Sequence, residues 1–429
     1  MGGAVVRVGL LGCGTVGSAV LRLLHDHADD IELRAGCRVE VARAAVREPG
    51  RPRDVPLDPG RFTADPASVV DDPEVQVVCE LMGGVEPARS LLLRAFERGK
   101  PVVTANKELL ARRGRELFDA ADARGLDLYF EAAVGGGIPL IRPLKESLAG
   151  ERVARVIGIV NGTTNYVLTR MSEDGLTFDE ALALAQRLGY AESDPEADVD
   201  GHDAAAKCAI LASIAFNARV VADDVYREGI ANVSADDIAF ARRLGYVVKL
   251  LAVAELEDGE IAARVHPAMI PATHPLAAVR DAFNAVFVQG ARVGELMFYG
   301  PGAGGEATAT AVVGDLITVA RHLVHGGRGL GCTCRLERRI RPMEANRDQY
   351  YLLLEVVDRP GVLAEIADVF GRNAVSIKSV WQEGTGEEAQ LVFVTHRALE
   401  GDLQETVRQL GTLPVVEEVR SVLRVADEW

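Results

Sequence analysis

The first third of the chain alternates between two hydrophobic patterns. Continuous apolar runs at residues 5–11, 39–46, 75–79 and 102–103 predict buried strands. Between them, apolar positions recur at intervals of three and four residues, which predicts helices. Strands that alternate with helices are typical of a parallel sheet with helices on both faces. Residues 1–140 are therefore predicted to form a doubly wound α/β domain.

The pattern changes after residue 140. Longer helices, clearest at residues 181–188 and 202–218, are mixed with strands such as residues 153–160, so we expect residues 141–305 to form a central α+β domain. A glycine-rich turn at residues 300–305 precedes an apolar helix, residues 306–325, that we expect to return and complete the first domain. Residues 326–348 are rich in glycine and arginine, which predicts a linker.

The end of the chain, residues 349–429, predicts a small separate domain. Strands are expected at residues 350–356, 375–381, 390–395 and 419–425. Helices are expected at residues 363–370 and 403–410. The resulting βαββαβ order is typical of a ferredoxin-like fold.

Composition argues against several classes of protein. The formal net charge of −16 provides no positive field that would attract nucleic acid or anionic lipid. No charge-free stretch reaches 18 residues, which argues against a membrane span. The six cysteines are sparse, as expected for reduced thiols in the cytoplasm. Cys332 and Cys334 have no second cysteine pair, so a zinc site is not expected there.

Lysine is rare in this chain. Only six of the 47 basic residues are lysine, namely Lys100, Lys107, Lys145, Lys207, Lys249 and Lys378. Arginine stays charged under all ordinary conditions, whereas a lysine amine is compact and can change its protonation state. A lysine is therefore evidence that its position needs an amine.

A Gly-x-Gly-x-x-Gly motif, the glycine fingerprint of residues 12–17, follows the first predicted strand and opens the first predicted helix. Gly12 permits a tight turn, Gly14 lets the backbone approach a pyrophosphate, and Gly17 lets the helix pack on the strand. We therefore expect a Rossmann-type domain that binds a nicotinamide dinucleotide. Arg47 after the second strand favours NADP, because arginine suits a 2′-phosphate, whereas Glu48 would favour NAD.

An acidic segment, residues 192–203, contains six carboxylates. Asp203 and Lys207 are four residues apart, so they share one face of a predicted helix. Reduction of a carbonyl by hydride needs a proton, which an ammonium held by a carboxylate can supply; the spacing alone leaves a surface ion pair as the alternative. A calcium loop starting at Glu196 is excluded, because its twelfth position is Lys207 rather than glutamate.

Several motifs together resemble the homoserine dehydrogenases that carry a C-terminal ACT domain, and the similarity covers nearly the whole chain. The segments that carry it are residues 12–17, 104–108, 131–139, 161–165, 189–207 and 358–361. The resemblance implies the NAD(P)-dependent interconversion of L-aspartate 4-semialdehyde and L-homoserine. It places that reaction in the pathway to threonine, isoleucine and methionine.

The resemblance also implies roles for individual residues. Lys207 matches the proton donor, Asp203 its nearby carboxylate, and Lys107 a lysine near the nicotinamide and the substrate. Glu192 matches the residue that holds the substrate amino group. Further substrate-lining positions are Thr163, Tyr190 and Asp198. The candidate cofactor-binding positions are Gly12, Gly14, Thr15, Val16, Gly17, Arg47, Thr104, Lys107, Gly189 and Gly304.

Two further ligands follow from the resemblance. Residues 131–139 are similar to a monovalent cation loop, in which Glu131 would bind sodium with the carbonyl groups of Val134, Gly136 and Ile138. The C-terminal unit resembles an amino-acid-sensing ACT domain, in which residues 358–363 and 373–377 would line an effector site. Threonine is the expected effector, and oligomerisation alone is the other role considered. A homodimer or homotetramer is expected.

Two other functions remain open from the sequence. The chain would also suit another NAD(P)-dependent reductase of an amino-acid aldehyde, which would differ in its substrate. From a different class, it would suit a sensor that binds NADP and an amino acid without turnover. The sensor hypothesis leaves Glu192, Asp203 and Lys207 without a purpose.

Overall fold

The computed structural model describes residues 4–384 and 389–426, so the outermost predicted domain limits, residues 1 and 429, lie outside the described residues. The chain divides into two compact units. The first runs to residue 156 and also includes residues 206–224 and 284–338. The second comprises residues 157–205, residues 225–283 and the chain from residue 339 onward.

The first unit contains the predicted parallel sheet. Its strands are β1 (Val5–Leu11), β2 (Arg38–Ala45), β3 (Phe62–Thr63), β4 (Val77–Glu80), β5 (Val102–Thr104) and β6 (Leu128–Tyr129). The accompanying helices are α1 (Thr15–Asp26), α2 (Ala28–Ala35), α3 (Pro66–Asp71), α4 (Ala88–Glu97) and α5 (Lys107–Ala123). The strand order β3-β2-β1-β4-β5-β6 confirms the doubly wound fold. Because the order reverses between β1 and β4, the carboxyl ends of these two strands border the expected ligand crevice.

Helix α11 (Gly305–His325) completes the core of this unit. Its residues Val312, Leu316 and Ala320 are buried in one apolar cluster with Val8 of β1 and Val39 of β2. Among the described residues it is the one helix long and apolar enough, by length and composition alone, to cross a membrane. Its buried face accounts for that apolar sequence, since a core helix passes the same test.

The remaining elements that lie wholly or partly in the first unit follow the pattern predicted for the central segment. Strands β7 (Val153–Ile159), β11 (Phe283–Gly290) and β12 (Gly294–Pro301) are neighbours in the order β12-β11-β7. Helix α9 (His202–Ala215) ends three residues before its predicted limit. The chain turns there because Asn217 has a left-handed backbone, with φ 51°, which interrupts the helix.

The second unit is built on a long hairpin that the sequence patterns did not predict. Strand β9 (Tyr246–Glu257) pairs with β10 (Glu260–Pro271) through a two-residue turn. Asp258 and Gly259 both have positive φ, as a hairpin turn of this length requires. The other elements of this part are α6 (Gly162–Asp174), α7 (Phe178–Arg187), α8 (Glu196–Val199), β8 (Tyr226–Arg227) and α10 (Ala235–Arg243).

The C-terminal part of the second unit has the predicted βαββαβ order. Its elements are β13 (Arg347–Val356), α12 (Val362–Arg372), β14 (Ile377–Glu383), β15 (Ala389–Thr395), the short β16 (Ala398–Leu399), α13 (Glu400–Leu410) and β17 (Val416–Val425). Phe370 of α12 packs on Phe393 of β15 with ring centroids 5.1 Å apart. Strand β17 pairs with β13 and also runs parallel to β10, so this domain extends the sheet of the hairpin.

A buried arginine stabilises β17, the strand through which the C-terminal domain extends the sheet. The Arg424 guanidinium on β17 donates two hydrogen bonds to Glu228, at 2.8 and 2.9 Å, and two to Glu400, at 3.0 and 2.7 Å. Burial alone would raise the pKa of Glu228, but Arg424 lowers it overall. Tyr350 also donates to Glu400, at 2.8 Å. One cation therefore satisfies carboxylates on two different segments of the unit.

We expect Arg424→Ala to lower the free energy of unfolding of the second unit by about 3–5 kcal/mol, because Glu400 would remain buried without its cation. Chemical denaturation followed by tryptophan fluorescence and circular dichroism measures the change. The matched control is Arg359→Ala, since Arg359 pairs with Glu365 on the surface and its loss should change stability by less than about 0.5 kcal/mol. Equal losses in the two variants would contradict the assigned role of Arg424.

Candidate active site

The glycine fingerprint forms the tight turn between β1 and α1. Gly12 has φ 97°, and a Cβ there would lie 2.8 Å from the carbonyl oxygen of Leu81. A Cβ on Gly17 would lie 2.3 Å from the Gly12 carbonyl oxygen, so this glycine allows the helix to pack on the turn. At Gly14 nothing lies within 4 Å of the Cβ position. The turn is therefore closed at Gly12 and Gly17 and open at Gly14, which fits the approach of a pyrophosphate.

Helix α1 begins at Thr15, followed by Val16, and no side chain caps its N-terminus. Its first backbone N–H groups therefore point toward the open side of the turn, where they can bind an anion. The N-terminus of α11 lies beside them, since a Cβ on Gly305 would lie 3.0 Å from Cγ2 of Thr15. Gly304 caps α11 with φ 120°, a conformation that favours glycine. Two helix N-termini thus meet at the fingerprint.

A buried carboxylate organises the adjacent ends of β4 and β5. Glu80 accepts hydrogen bonds from the backbone N–H groups of Met82, at 2.7 Å, and Gly83, at 3.1 Å, and from the hydroxyl of Thr104, at 2.6 Å. The Thr104 hydroxyl in turn accepts from the N–H of Asn106, at 3.0 Å. These contacts fix the two loops that follow the strands. Glu80 was not among the residues that the sequence singled out.

Lys107 is the first residue of α5 and is partly buried. Asn106 caps this helix, because its side-chain oxygen accepts from the N–H of Leu109 at 3.1 Å. The Asn106 amide also donates to the carbonyl oxygen of Gly84, at 2.7 Å. The position of Lys107 at the carboxyl end of β5 is therefore set by the loop network of Glu80 and Thr104.

Arg47 lies two residues beyond the end of β2 and is exposed, as is Glu48. In a doubly wound sheet, the end of the second strand faces the ribose of a bound dinucleotide. Both side chains are therefore available at this position. The Arg47 guanidinium suits the 2′-phosphate of NADP, and the Glu48 carboxylate suits the 2′-hydroxyl of NAD.

The second unit contains a compact polar cluster, the Asn161 cluster. The Asn161 amide donates to Asp198 at 2.7 Å and to Asp203 at 2.9 Å. Thr163 shares its hydroxyl proton between Asp198, at 2.9 Å, and the carbonyl oxygen of Tyr190, at 2.6 Å. Asn161 also caps α6, because its side-chain oxygen accepts from the N–H of Thr164 at 2.9 Å. Four predicted substrate and catalytic residues thus meet around an asparagine that was not on the list of candidates.

The loop after α7 contains Gly189, Tyr190 and Glu192. Gly189 has φ 78° and ends the helix. The Tyr190 ring packs on Tyr166 of α6, with centroids 4.8 Å apart. Glu192 is exposed, and its backbone carbonyl accepts from the side chain of Gln186 at 3.1 Å. The Glu192 carboxylate therefore lies on a loop that is fixed at the backbone.

Helix α9 contains both Asp203 and Lys207, each of which is buried. They are separated by one helical turn, as predicted. Beyond Lys207 the helix is lined by the buried residues Cys208, Leu211 and Ile214. The amine therefore lies where the helix enters an apolar environment.

Glu131 anchors the proposed cation loop. Its carboxylate accepts backbone hydrogen bonds from Leu140 at 2.5 Å, Ile141 at 2.8 Å and Arg142 at 2.9 Å. Its own N–H donates to Asp315 at 2.8 Å, and burial raises the pKa of Asp315 to about 7. Three of roughly four lone-pair positions on the Glu131 carboxylate are therefore used by the protein.

The loop between these contacts is tightly packed. Gly136 has φ 57°, and a Cβ there would lie 2.6 Å from the carbonyl oxygen of Gly302. Val134 and Ile138, whose carbonyl groups complete the proposed ligand set, are both buried. The donor set of one carboxylate and peptide carbonyls suits a hard cation, and one carboxylate position remains for it. No cluster of three or more histidine, cysteine or acidic residues that would suit another metal was found among the described residues.

The predicted residues thus form two groups. The fingerprint, Arg47, Thr104, Lys107, Lys207, Gly304 and the Glu131 loop belong to the first unit. Thr163, Gly189, Tyr190, Glu192, Asp198 and Asp203 belong to the second. The sequence did not single out Asn161 and Glu80, which hold the other predicted residues in place by hydrogen bonds. The Asn161-Gly162-Thr163 motif contained the first of these, whereas a single glutamate after a short strand gave no signal for the second.

Comparison with known proteins identifies the family. The family model for the homoserine dehydrogenase NAD-binding domain matches residues 12–131, and the model for homoserine dehydrogenase matches residues 139–317. The ACT domain model matches residues 350–415. Together these matches cover both the fingerprint and the Asn161 cluster.

Full-length relatives agree with the family models. The chain is 48% identical to a homoserine dehydrogenase of Corynebacterium glutamicum, over 99% of this chain and 96% of that protein. A homoserine dehydrogenase structure from Thiobacillus denitrificans superposes with a TM-score of 0.92, 41% identity and 99% coverage of both chains. A hyperthermophilic archaeal homoserine dehydrogenase in complex with NADPH gives a TM-score of 0.62 at 28% identity, over 73% of this chain and 97% of that one. The chain therefore belongs to the homoserine dehydrogenase family and is an NAD(P)-dependent oxidoreductase with a C-terminal ACT domain.

Proposed function

We propose that the Asn161 cluster and Lys207 together form the site at which L-aspartate 4-semialdehyde and L-homoserine are interconverted. The observation that carries the proposal is the pair of hydrogen bonds from Asn161 to Asp198 and Asp203, because they hold two carboxylates at the start of the helix that contains Lys207. A substrate with an amino group and a carbonyl group suits carboxylates beside an amine.

Lys207 is the proposed proton donor. A reduced nicotinamide bound at the fingerprint would supply the hydride to the aldehyde carbon. The carbonyl oxygen then becomes an alkoxide, and the Lys207 Nζ ammonium gives it a proton to form the alcohol. In the reverse direction the neutral amine removes that proton. Asp203, one turn earlier on α9 and fixed by Asn161, acts as the carboxylate partner that orients the amine.

The substrate amino group is assigned to the acidic loop. Glu192 is the proposed ligand, because its carboxylate is exposed on a loop whose backbone is fixed by Gln186. Thr163, Asp198 and the carbonyl of Tyr190 already form a hydrogen-bonded set that would line the substrate. Acceptor groups outnumber donors in this set, which suits an ammonium ligand.

The cofactor site is assigned to the fingerprint in the first unit. Gly14 leaves room for the pyrophosphate, and the N–H groups at Thr15 and Val16 would bind its oxygens together with the N-terminus at Gly304. Thr104 shapes the loop before Lys107, whose amine is proposed to lie near the nicotinamide and the substrate. Gly189 is assigned to the same cofactor because residues 189–207 resemble the corresponding segment of the family.

NADP is the proposed cofactor, with NAD as the alternative. Arg47 is exposed after β2 and offers a guanidinium for the 2′-phosphate. The archaeal relative in complex with NADPH supports this choice. Glu48 favours NAD instead, because a carboxylate there would accept a hydrogen bond from the 2′-hydroxyl of NAD.

A monovalent cation, with sodium as first choice, is proposed to bind Glu131 and the carbonyl groups of Val134, Gly136 and Ile138. The Glu131 carboxylate retains one lone-pair position after its three backbone hydrogen bonds. The cation would fix the loop that joins residue 131 to residue 142. We assign it a structural role only.

The ACT domain is proposed to bind an amino-acid effector, with threonine as first choice, at residues 358–363 and 373–377. Gly361, with φ 98°, opens α12 in the first of these segments. ACT ligand sites usually form between paired domains, so this proposal includes a homodimer or homotetramer. We also propose a cytoplasmic enzyme of threonine, isoleucine and methionine biosynthesis, which agrees with the free cysteines.

The reaction is tested by the rate of nicotinamide reduction with L-homoserine. We expect turnover with L-homoserine and much slower turnover with the homologous amino alcohols one carbon shorter and one carbon longer. Lys207→Ala should lower kcat by roughly 100- to 10,000-fold in both directions, because the alkoxide loses its proton source. Lys207→Arg should be similarly inactive, since a guanidinium keeps the charge but does not release a proton.

Lys378→Ala on the exposed face of β14 is the matched control and should retain wild-type rates. The dissociation constant for NADP, measured by fluorescence titration, should be unchanged in both Lys207 variants. Weaker NADP binding with fast residual turnover would remove Lys207 from the proton-transfer role. Faster turnover with a homologous alcohol would favour the other aldehyde reductase; the sensor alternative is set aside because the family is enzymatic.

Arg47→Ala should weaken NADP binding by about tenfold and leave NAD binding nearly unchanged, because a charge-assisted contact to the 2′-phosphate is lost. Titration with both reduced cofactors measures the two dissociation constants. Arg34→Ala, an exposed arginine on α2, is the control for general loss of positive charge. Equal losses for NADP and NAD would refute the assignment of Arg47.

A further inference from the structure

A cavity of about 350 Å³ lies within the first unit and contains none of the residues assigned above. Its wall includes Phe130 and Lys145, residues of α9 around Ser213, and the segment with Cys332 and Cys334. The sequence left this cysteine pair without a role, and Lys145 is one of the six lysines in a chain that otherwise uses arginine. The cavity thus brings together three groups with reactive or titratable chemistry.

The charged side chains around the cavity are mostly positive. The cations in its wall are Arg112, Arg115, Lys145, Arg219 and Arg335, and the anions are Asp119 and Glu337. This balance contrasts with the formal net charge of −16 for the whole chain. Arg112 pairs with Glu108 and Arg115 with Asp119, so Lys145, Arg219 and Arg335 are the cations that would attract a small molecule carrying carboxylates.

The two cysteines are within reach of one another. The sulfur of Cys332 accepts from the backbone N–H of Cys334 at 3.4 Å. The backbone N–H of Arg335 donates to the carbonyl oxygen of Thr333 at 2.7 Å, so the chain turns tightly at Cys334. The turn brings the two thiols within hydrogen-bond distance of each other.

The surroundings favour a thiolate at Cys332. A hydrogen bond from the Cys334 side chain is the main cause that lowers the pKa of Cys332, and Lys145 contributes to the same effect. The Lys145 amine is held in place by the carbonyl oxygen of Leu330, at 3.0 Å, and lies over the Phe130 ring, 5.5 Å from its centroid. Burial lowers the pKa of Lys145, while the two nearby thiols oppose that shift.

The other cysteines provide an internal contrast. Cys13, Cys37, Cys79 and Cys208 are buried, whereas Cys332 and Cys334 are partly exposed. Burial raises the pKa of Cys37 and of Cys79. A buried thiol with a raised pKa is a poor nucleophile. Reactivity toward a disulfide is therefore concentrated at Cys332.

The segment that contains the pair is fixed on the end of α5. Asp122 pairs with Arg328 and accepts from the backbone N–H of Cys332 at 3.2 Å. Asp127 accepts from the N–H of Gly329 at 2.9 Å and pairs with His322 at 2.7 Å. The thiols are thus held at the cavity by contacts on their N-terminal side.

We propose that Cys332 and Cys334 form a thiol–disulfide exchange site for a small disulfide that carries carboxylates. The Cys332 thiolate attacks one sulfur of the disulfide R–S–S–R, so that a mixed disulfide forms and the first R–S⁻ leaves. In the reduced pair the hydrogen bond to Cys332 raises the pKa of Cys334; once Cys332 is in the mixed disulfide that cause is gone, and the Cys334 thiol loses its proton to solvent and attacks the Cys332 sulfur, which releases the second R–S⁻. Two protein thiols are oxidised to one disulfide, and the small disulfide is reduced to two thiols.

Oxidation of the cysteine pair would also change a contact with helix α9. The Cys334 sulfur lies 3.4 Å from the carbonyl oxygen of Ser213, near the end of that helix, so its single S–H proton is shared between this oxygen and the Cys332 sulfur. The Ser213 hydroxyl donates to the carbonyl oxygen of Val220, at 3.0 Å, and accepts from its N–H at 3.0 Å. Disulfide formation removes the S–H donor, so this one hydrogen bond between the segment and α9 is lost on oxidation.

The test exposes the full-length, fully reduced protein to glutathione disulfide and follows intact mass and peptide maps. We expect the wild type to lose two hydrogens, to form a disulfide between Cys332 and Cys334 and to release two equivalents of glutathione. Cys334→Ala should instead accumulate a glutathione adduct on Cys332, because the resolving thiol is absent. Cys332→Ala should react at least about tenfold more slowly at any position.

Lys145→Gln keeps a hydrogen-bond donor at the cavity but removes the charge, and should slow adduct formation in Cys334→Ala by several-fold near neutral pH, with less effect at high pH. Cys37→Ala is the matched control and should react like the wild type. Equal rates in Cys332→Ala and the wild type would overturn the proposal. A stable adduct on the wild-type protein, without the second step, would overturn it as well.

Discussion

The structure of the proposed substrate region depends on one amide that holds two carboxylates, of which Asp203 is buried and Asp198 is half-buried. Asn161 donates one hydrogen bond to Asp198 and one to Asp203, while its oxygen caps α6. Two carboxylates so close together repel each other, and each loses hydration to the extent that it is buried, Asp203 more than Asp198. Donors must therefore be supplied by the protein. One asparagine side chain does so and fixes α6, α8 and the first turn of α9 in a single arrangement.

The same constraint recurs at other functional positions of the chain. Glu80 is satisfied by two backbone N–H groups and Thr104, and Glu131 by three backbone N–H groups. Glu80 is the last residue of β4 and Glu131 lies two residues beyond β6, and each buried carboxylate fixes the loop that follows. In the second unit the charges are reversed: the Arg424 guanidinium on β17 satisfies Glu400 of the ACT domain and Glu228, which precedes that domain in the chain. Buried charges thus determine the paths of loops that an apolar core would leave undetermined.

Sequence patterns predicted those parts of the structure that depend on contacts between residues close together in the chain. The glycine fingerprint was predictable because Gly12 and Gly17 reflect contacts within one turn, and the βαββαβ order followed from short alternating segments. The hairpin of β9 and β10 was missed, since both strands are buried almost throughout and show no alternation; the Asp258-Gly259 turn was the available signal. The role of Asn161 was missed because its partners are 37 and 42 residues away.

The kinetics of Asn161→Ser with L-homoserine test the role of the Asn161 amide most directly. Serine retains a cap for α6 but removes the amide donors that hold Asp198 and Asp203. We predict that kcat/KM for L-homoserine falls about 100-fold, while the melting temperature and the dissociation constant for NADP remain close to wild type. A kcat/KM within about twofold of wild type in a folded variant would contradict the central place given to this amide.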